Sequence, residues 1–94
     1  RYDEAKDISI KAIVFKPDNP SIYNSLGNTF KNLKEYEHAA TIYSKATKLK
    51  FSLPEANSNL GIVLNELGMY EESIASFIKT LEMKPDFRGA WNNI

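Results

Sequence analysis

Few side chains in this sequence are of the types that perform catalysis. His38 is the single histidine and cysteine is absent, so the chain lacks the ligands for a zinc site and the thiol of a disulfide or nucleophile. Carboxylates do occur in pairs, such as Asp3/Asp7 and Glu71/Glu72, but acid–base chemistry needs two carboxyls in one cleft with different pKa values. Nearby lysines indicate solvated helix faces instead. We expect no enzyme activity, no metal and no cofactor.

Asparagine is the polar residue that recurs with a pattern. Three evenly spaced stretches of the chain each carry amides, hydroxyls or both. From these stretches we select nine candidate partner-binding residues, eight polar residues and one isoleucine: Asn24, Ser25, Asn28, Asn32, Ser58, Asn59, Ile62, Asn65 and Asn93. An asparagine side chain donates and accepts hydrogen bonds, which suits the amide groups of an extended peptide. The alternative interpretation is a polar face of biased composition.

The composition limits the possible partners. Twelve basic and twelve acidic residues give a formal net charge of zero, whereas a protein that holds phosphates normally has a basic excess. The longest apolar runs are far too short to cross a bilayer. We therefore expect a protein or peptide partner, no nucleic acid and no membrane. No signal peptide is visible, and we expect a cytoplasmic protein. We also expect that its true amino terminus is missing, because the chain begins in the middle of one of the repeats described below.

The candidate residues lie on amphipathic segments with helical spacing. In residues 54–87 the expected apolar positions are, in a first helix, Ala56, Leu60, Val63, Leu64 and Leu67, and in a second helix, Tyr70, Ile74, Phe77, Leu81 and Met83. Gly68 falls between the two helices, where a left-handed cap is needed. Pro85 ends the second helix. The segment therefore predicts a helical hairpin.

This hairpin recurs along the chain with a fixed period. Leu60-Gly61 aligns with Leu26-Gly27, Tyr70 with Tyr36, and Phe77 with Tyr43. A 34-residue period with these signature positions resembles the tetratricopeptide repeat. The sequence departs from that pattern at five positions. Asn57 and Leu64 replace the two aromatic residues of the opening helix, Ser73 and Thr80 replace small alanines, and Phe51 replaces the closing proline, where we expect it to pack into a groove.

The resemblance implies an all-α fold, a right-handed α-solenoid of helix-turn-helix repeats. It divides the chain, as a single array fragment, into the second helix of a partial repeat (1–19), two full repeats (20–53 and 54–87) and the start of another (88–94). Asn19 is the expected cap of the helix that Pro20 begins. Gly27 and Gly61 are expected to allow a close approach between helices, and Ile8 is expected in the apolar stripe of the first helix.

The resemblance also implies a function. In such arrays the opening helix of each repeat lines a concave groove, so the nine candidate residues are expected to contact a partner there. The predicted function is a non-catalytic protein–protein interaction scaffold that binds an extended partner segment. Two alternatives stay open. A similar asparagine ladder lines the repeats of O-linked N-acetylglucosamine transferases, which suggests the substrate-selecting region of a larger glycosyltransferase-like enzyme. The third possibility is a self-assembly scaffold, with end-to-end association of the fragment.

One class of peptide is not expected to bind. Family members that hold the terminal carboxylates of heat-shock chaperones use lysine, asparagine, asparagine, lysine and arginine across three opening helices. The matching residues here are Asn24, Asn28, Asn59, Gly89 and Asn93. All three cations are absent, so a terminal carboxylate would lose its charge-assisted hydrogen bonds.

Overall fold

The structure is a computed structural model. It describes residues 2–49 and 53–93, without the side chains of residues 2, 3, 5, 15 and 93. Every regular element in these two ranges is an α-helix, in the order α1 (Tyr2–Phe15), α2 (Pro20–Asn32), α3 (Tyr36–Thr47), α4 (Pro54–Glu66), α5 (Tyr70–Met83) and α6 (Arg88–Asn93). The expected packing of Phe51 lies outside the described residues. The predicted all-α fold is confirmed.

The helices pack as successive hairpins. Helix α2 packs against α3 and α4 packs against α5, and the two hairpins meet where α3 lies on α4. Short connections join each pair, so neighbouring helices run antiparallel. Helices α2 and α4 also touch each other, as do α4 and α6. The opening helices α2, α4 and α6 therefore form one continuous surface.

The start of α2 is fixed by a side-chain cap. Asn19 has extended backbone angles, and its Oδ1 accepts a hydrogen bond from the amide of Ser21 at 3.0 Å. Pro20, at the first helical position, needs no donor there. The predicted cap is confirmed. Helix α4 also begins at a proline, Pro54, but its cap residue Leu53 makes no side-chain hydrogen bond.

The two hairpin turns are built alike. Gly68 has φ +80°, and Lys34, its counterpart in the preceding repeat, has φ +62°. In both turns the next amide reaches back five residues, from Glu35 to the Phe30 carbonyl and from Met69 to the Leu64 carbonyl, each at 2.9 Å. This is the Schellman arrangement, which requires a left-handed residue. The predicted cap at Gly68 is confirmed, and the same cap at Lys34 is strained because a side chain there crowds the backbone.

Each hairpin closes on an aromatic ring that occupies the space beside a glycine. The ring of Tyr43 lies against Gly27, and the ring of Phe77 lies against Gly61. A Cβ atom on Gly61 would stand 2.8 Å from Cζ of Phe77, closer than real Cβ atoms approach a neighbour. The expected close approach is confirmed. The nearest atoms to each glycine belong to a side chain of the second helix of the hairpin, which we call the closing helix, and not to the backbone of that helix.

The apolar stripe predicted for α5 is wrong in part. Phe77 is buried, but Tyr70, Ile74 and Met83 are exposed. Small hydroxyl residues bury the helix instead: Ser73, Ser76 and Thr80. They fit because the hairpin leaves little room and because backbone carbonyls satisfy their hydroxyls. Ser73 Oγ donates to the Gly61 carbonyl at 2.6 Å, and Thr80 Oγ1 to the Ser76 carbonyl at 3.0 Å.

The first helix also differs from the expectation at one position. Ile8 was assigned to the buried stripe, yet 68% of its surface is exposed. Helix α1 packs on α2, and the inward positions Ala12 and Ile13 are partly buried. Ile8 points away from that contact. The helical spacing of the partly buried residues therefore agrees with the prediction, but the buried face of α1 includes fewer residues than predicted.

The strained cap gives a test of the turn. Replacing Lys34 with glycine should raise the free energy of unfolding by about 0.5–1 kcal/mol, because the relief of left-handed strain exceeds the added chain entropy of glycine. Urea denaturation followed by circular dichroism measures the change. As the matched control, Gly68→Ala should lower stability by about 1–2 kcal/mol, since it puts a Cβ into the same conformation. A loss of stability in Lys34→Gly would contradict the assigned turn.

Candidate functional site

The inner face is the surface that the solvent-reaching side chains of α2, α4 and α6 form together. It contains most of the candidate residues. Ser25, Asn32 and Asn65 are exposed, and Asn24, Asn28, Asn59 and Ile62 are partly buried. Asn93 belongs to α6, but its side chain lies outside the described part of the chain. Ser58 is 5% exposed, so most of its surface belongs to the interior and not to the inner face.

Two of the asparagines bind each other across the helix boundary. Nδ2 of Asn59 in α4 donates to Oδ1 of Asn24 in α2 at 3.1 Å. The bond links the two opening helices across the inner face. It leaves for a partner the amide hydrogens of Asn24 together with the second amide hydrogen and the side-chain oxygen of Asn59. These groups are complementary to the carbonyl and the N–H of a peptide chain.

Asn28 is bonded to the core of the first hairpin. The hydroxyl of Tyr43, a residue of α3, donates to Oδ1 of Asn28. Burial raises the pKa of the Tyr43 phenol well above its ordinary value, so the hydroxyl keeps its proton and acts as a donor. The amide hydrogens of Asn28 and the second lone pair of its Oδ1 remain for other contacts. Asn28 therefore supports the fold as well as contributing to the inner face.

The inner face carries amides where related sites carry charge. Two of the three positions at which carboxylate-binding arrays are expected to place cations hold Asn24 and Gly89 here. The third is Asn93, whose side chain lies outside the described part of the chain. Asn24 and Gly89 are uncharged, and the neighbouring candidates are amides, hydroxyls and one isoleucine.

His38 does not contribute to a reactive centre. Its side chain is 70% exposed, its ring stacks on Phe30 at 5.3 Å between centroids, and its Nδ1 lies 3.6 Å from Oε1 of Glu35. Within residues 2–49 and 53–93, no three histidine, aspartate or glutamate side chains come together in a way that could hold a metal ion. In the same ranges no helix combines the length and apolar character needed to cross a membrane.

Known structures resemble this fold closely. The chain aligns with the crystal structure of MamA with a TM-score of 0.92 and 25% identity, over 99% of this chain and 54% of MamA. It aligns with the first TPR domain of the human RPAP3 protein with a TM-score of 0.91 and 28% identity, over 97% of this chain and 72% of that domain. The first TPR of Spaghetti (RPAP3), solved with the HSP90 peptide SRMEEVD, gives the same values. The chain thus spans about half the length of MamA.

Comparison of sequences identifies the repeat. No curated protein matches the chain with statistical significance. The tetratricopeptide repeat profile, however, matches residues 20–52 and residues 54–87, together more than half of the chain. The two matched segments contain the α2–α3 and α4–α5 hairpins, and the predicted right-handed α-solenoid is confirmed by the structural neighbours. The chain belongs to the tetratricopeptide repeat family.

Proposed function

We propose that this chain is a non-catalytic protein-interaction module that binds an extended, uncharged peptide segment on its inner face. The observation that carries the proposal is the Asn24–Asn59 pair. The bond between the two side chains fixes their orientation, so their remaining donor and acceptor need no further ordering when a peptide binds. A bonded pair of amides is also unable to collapse onto other polar groups of the surface.

The comparisons support the general class. The first TPR of Spaghetti (RPAP3) is 28% identical to this chain and is bound to a peptide. Binding of a peptide by a domain of the same fold makes an interaction role reasonable for this chain. The identity of the residues on the inner face then determines which peptide is accepted.

The glycosyltransferase alternative uses the same surface. A substrate-selecting array would also hold an extended polypeptide by amide side chains, so the inner face by itself is compatible with both. The resemblance of the asparagine ladder to that of O-linked N-acetylglucosamine transferases stays a prediction. The interaction role is the simpler proposal because it requires no chemistry beyond that of the described residues.

The asparagine pair is tested by removing both partners together. A peptide selected from a displayed library of random peptides serves as the probe. Asn24→Ala combined with Asn59→Ala should weaken its binding by about 1–3 kcal/mol, the net value of two or so hydrogen bonds. Removing both amides leaves no orphaned partner, so the melting temperature should change little. Isothermal titration calorimetry and thermal denaturation measure the two effects.

The matched control for this pair lies away from the inner face. His38→Ala with Lys45→Ala removes two exposed side chains of α3 and should leave the affinity unchanged. If the control lowers the affinity and the asparagine double variant does not, the binding surface is not the inner face. Loss of binding together with a collapsed melting temperature would show that the pair is structural.

A second prediction concerns the charge of the peptide. The peptide SRMEEVD is bound to the first TPR of Spaghetti (RPAP3). It should bind to this chain at least tenfold more weakly than it binds to that domain. The three substitutions Asn24→Lys, Gly89→Lys and Asn93→Arg restore the cations and should each add a charge-assisted hydrogen bond of about 1.5–3 kcal/mol. Calorimetry of the triple variant should show a clear gain in affinity. The same peptide with an amidated carboxyl terminus is the control, and micromolar binding of SRMEEVD to the unmodified chain would refute the prediction.

We also propose that copies of this chain associate through α5 and α6. The exposed apolar side chains that favour this are Tyr70, Ile74 and Ile78 of α5 and Trp91 of α6, of which Tyr70 and Trp91 are the most exposed. Apolar patches of this kind are typical of association surfaces. Sedimentation equilibrium should show concentration-dependent dimers, and Ile74→Lys with Ile78→Lys should abolish them. A monomer at high concentration in the unmodified chain would exclude this association.

A further inference from the structure

A groove that the described residues leave open lies on the side of the molecule opposite the inner face. Helices α3 and α5 both pack on α4, yet no Cα atom of α3 lies within 8 Å of a Cα atom of α5. The space between them, which we call the outer groove, has a volume of about 610 Å³. Its walls and floor include Ala40, Ser44 and Thr47 of α3, Asn57 and Leu60 of α4, and Ser76 of α5.

The repeat explains why the groove is open. Asn57 is the counterpart of Tyr23 in the preceding repeat and of Trp91 in the following one. Trp91 is 61% exposed and lines a small pocket together with Ile78 and Leu81, and its Nε1 donates to the Pro85 carbonyl at 2.9 Å. The following repeat therefore carries an aromatic ring at this position. In the second repeat the chain supplies no ring from α4.

The residues around Asn57 have changed character together. The counterparts of Ile78 and Leu81 are Ser44 and Thr47, so the site has hydroxyls where the next repeat has apolar side chains. Asn57 is 4% exposed, and its Nδ2 donates to Sδ of Met83 at 3.4 Å, which is a weak acceptor. No hydrogen bond from a described residue reaches its Oδ1. This oxygen is the polar group that an entering ring could use.

The two ends of the outer groove carry opposite charges. Glu37 lies in the first turn of α3 and Glu72 in the first turn of α5, and both line the same end of the groove. Lys79 lies towards the other end, near Asn57, because α5 runs towards its carboxyl terminus there. A partner would therefore place basic groups near the glutamates and its aromatic residue near the lysine.

The length of the groove sets the length of the segment that it can hold. From Asn57 to the glutamate end the groove follows most of α4, about 15 Å at a rise of roughly 1.5 Å per residue. An extended chain covers the distance in about five residues.

We propose that the outer groove binds an extended peptide segment of a partner protein. Its anchor is a tryptophan or tyrosine side chain that enters beside Asn57 and donates to Oδ1 of that residue. Its second feature is a pair of basic residues about five positions away, which lie against Glu37 and Glu72. The ring contacts Leu60 and Ala40 on the apolar part of the floor. The partner thus supplies the aromatic ring that this repeat lacks.

The anchor site is tested first with indole as the probe. In ¹⁵N-resolved NMR spectra, indole should shift the amide signals of Ser44, Thr47, Asn57 and Leu60, with a dissociation constant on the order of 1–10 mM as expected for a fragment of this size. 1-Methylindole, which has no N–H donor, should bind several-fold more weakly. Absence of these shifts at about 10 mM indole, the upper end of that range, would overturn the proposal, and so would equal binding of the two compounds.

A single substitution closes the site without disturbing the fold. Asn57→Tyr introduces the ring that Tyr23 provides in the preceding repeat, so it should keep or raise the melting temperature and reduce indole binding at least tenfold. Asn57→Ala leaves the space open and should remove the difference between indole and 1-methylindole. If Asn57→Tyr is folded and binds indole as well as the unmodified chain does, the site is elsewhere and the proposal fails.

Residues 50–52, outside the described ranges, contain another possible source of a ring, Phe51. The variant Phe51→Ala separates the two cases. Equal indole binding by this variant and the unmodified chain supports a site for a partner. Binding that is seen only in Phe51→Ala would mean that the chain fills its own groove, which would overturn the proposal.

The contact with Glu37 and Glu72 is tested with two peptides made of glycine, serine, one tryptophan and a pair of charged residues. The charged pair lies about five residues from the tryptophan. The peptide with two arginines should bind at least threefold more tightly than the one with two glutamates, and the difference should shrink at high salt. The double variant Glu37→Lys with Glu72→Lys should reverse the preference, measured by fluorescence anisotropy. Equal affinity for both peptides would overturn the proposed partner. Asn24→Ala with Asn59→Ala should leave all these values unchanged, which separates this site from the inner face.

Discussion

The contact between an aromatic ring and a glycine sets the geometry of the whole chain. In each full hairpin the ring of the closing helix, Tyr43 or Phe77, lies where a Cβ of the opening helix would otherwise stand. Close packing of this kind leaves no room for adjustment by even one methyl group. The distance between the two helices of a hairpin is therefore fixed locally. Because every hairpin in a solenoid contacts only its neighbours, this local distance also sets the spacing of the opening helices.

The same ring contact connects the core to the inner face. Tyr43 fills the space beside Gly27 and, at its far end, donates its hydroxyl proton to Asn28. Phe77 makes the equivalent contact with Gly61 but has no hydroxyl, so the second hairpin lacks this bond. Its interior polar contact comes from Ser73, whose hydroxyl bonds the Gly61 carbonyl. The two hairpins thus have the same shape but different links between core and surface.

The sequence was informative where one residue determines the local conformation. The cap at Asn19 and the left-handed turn at Gly68 depend on the chemistry of single residues and their neighbours, and both were predictable. The buried face of α5 was not, because a period of apolar residues gives Ile74 the same weight as Phe77. The space available to α5 is set by α4, and small hydroxyl residues that find backbone acceptors there fill it better than a larger side chain does.

The candidate site shows the same limit in another form. The spacing of Asn24 and Asn59 predicted that both would lie on one surface, and they do, but not that they would bond to each other. Their sequence separation is 35 residues, one more than the repeat, so the bond depends on the angle at which α2 and α4 pack. Ser58 is adjacent to Asn59 in sequence and yet is buried, because a rotation of about 100° per residue takes it from the surface to the interior. The inner face could be located from the sequence, whereas its hydrogen bonds required the packing of the helices.

The two surfaces of this chain differ in how closely they follow the repeat. The inner face keeps a hydroxyl or an amide at one pair of equivalent positions, Ser25 and Asn59, whereas Asn28 is replaced by Ile62 in the next repeat. The outer groove depends on a local exception, in which Asn57 stands where Tyr23 and Trp91 have rings and Ser44 and Thr47 stand where Ile78 and Leu81 are apolar. A substitution that only removed the ring would expose apolar walls and cost stability. The accompanying change of the walls to hydroxyl residues reduces that cost, so the open groove and a folded repeat are compatible in this chain.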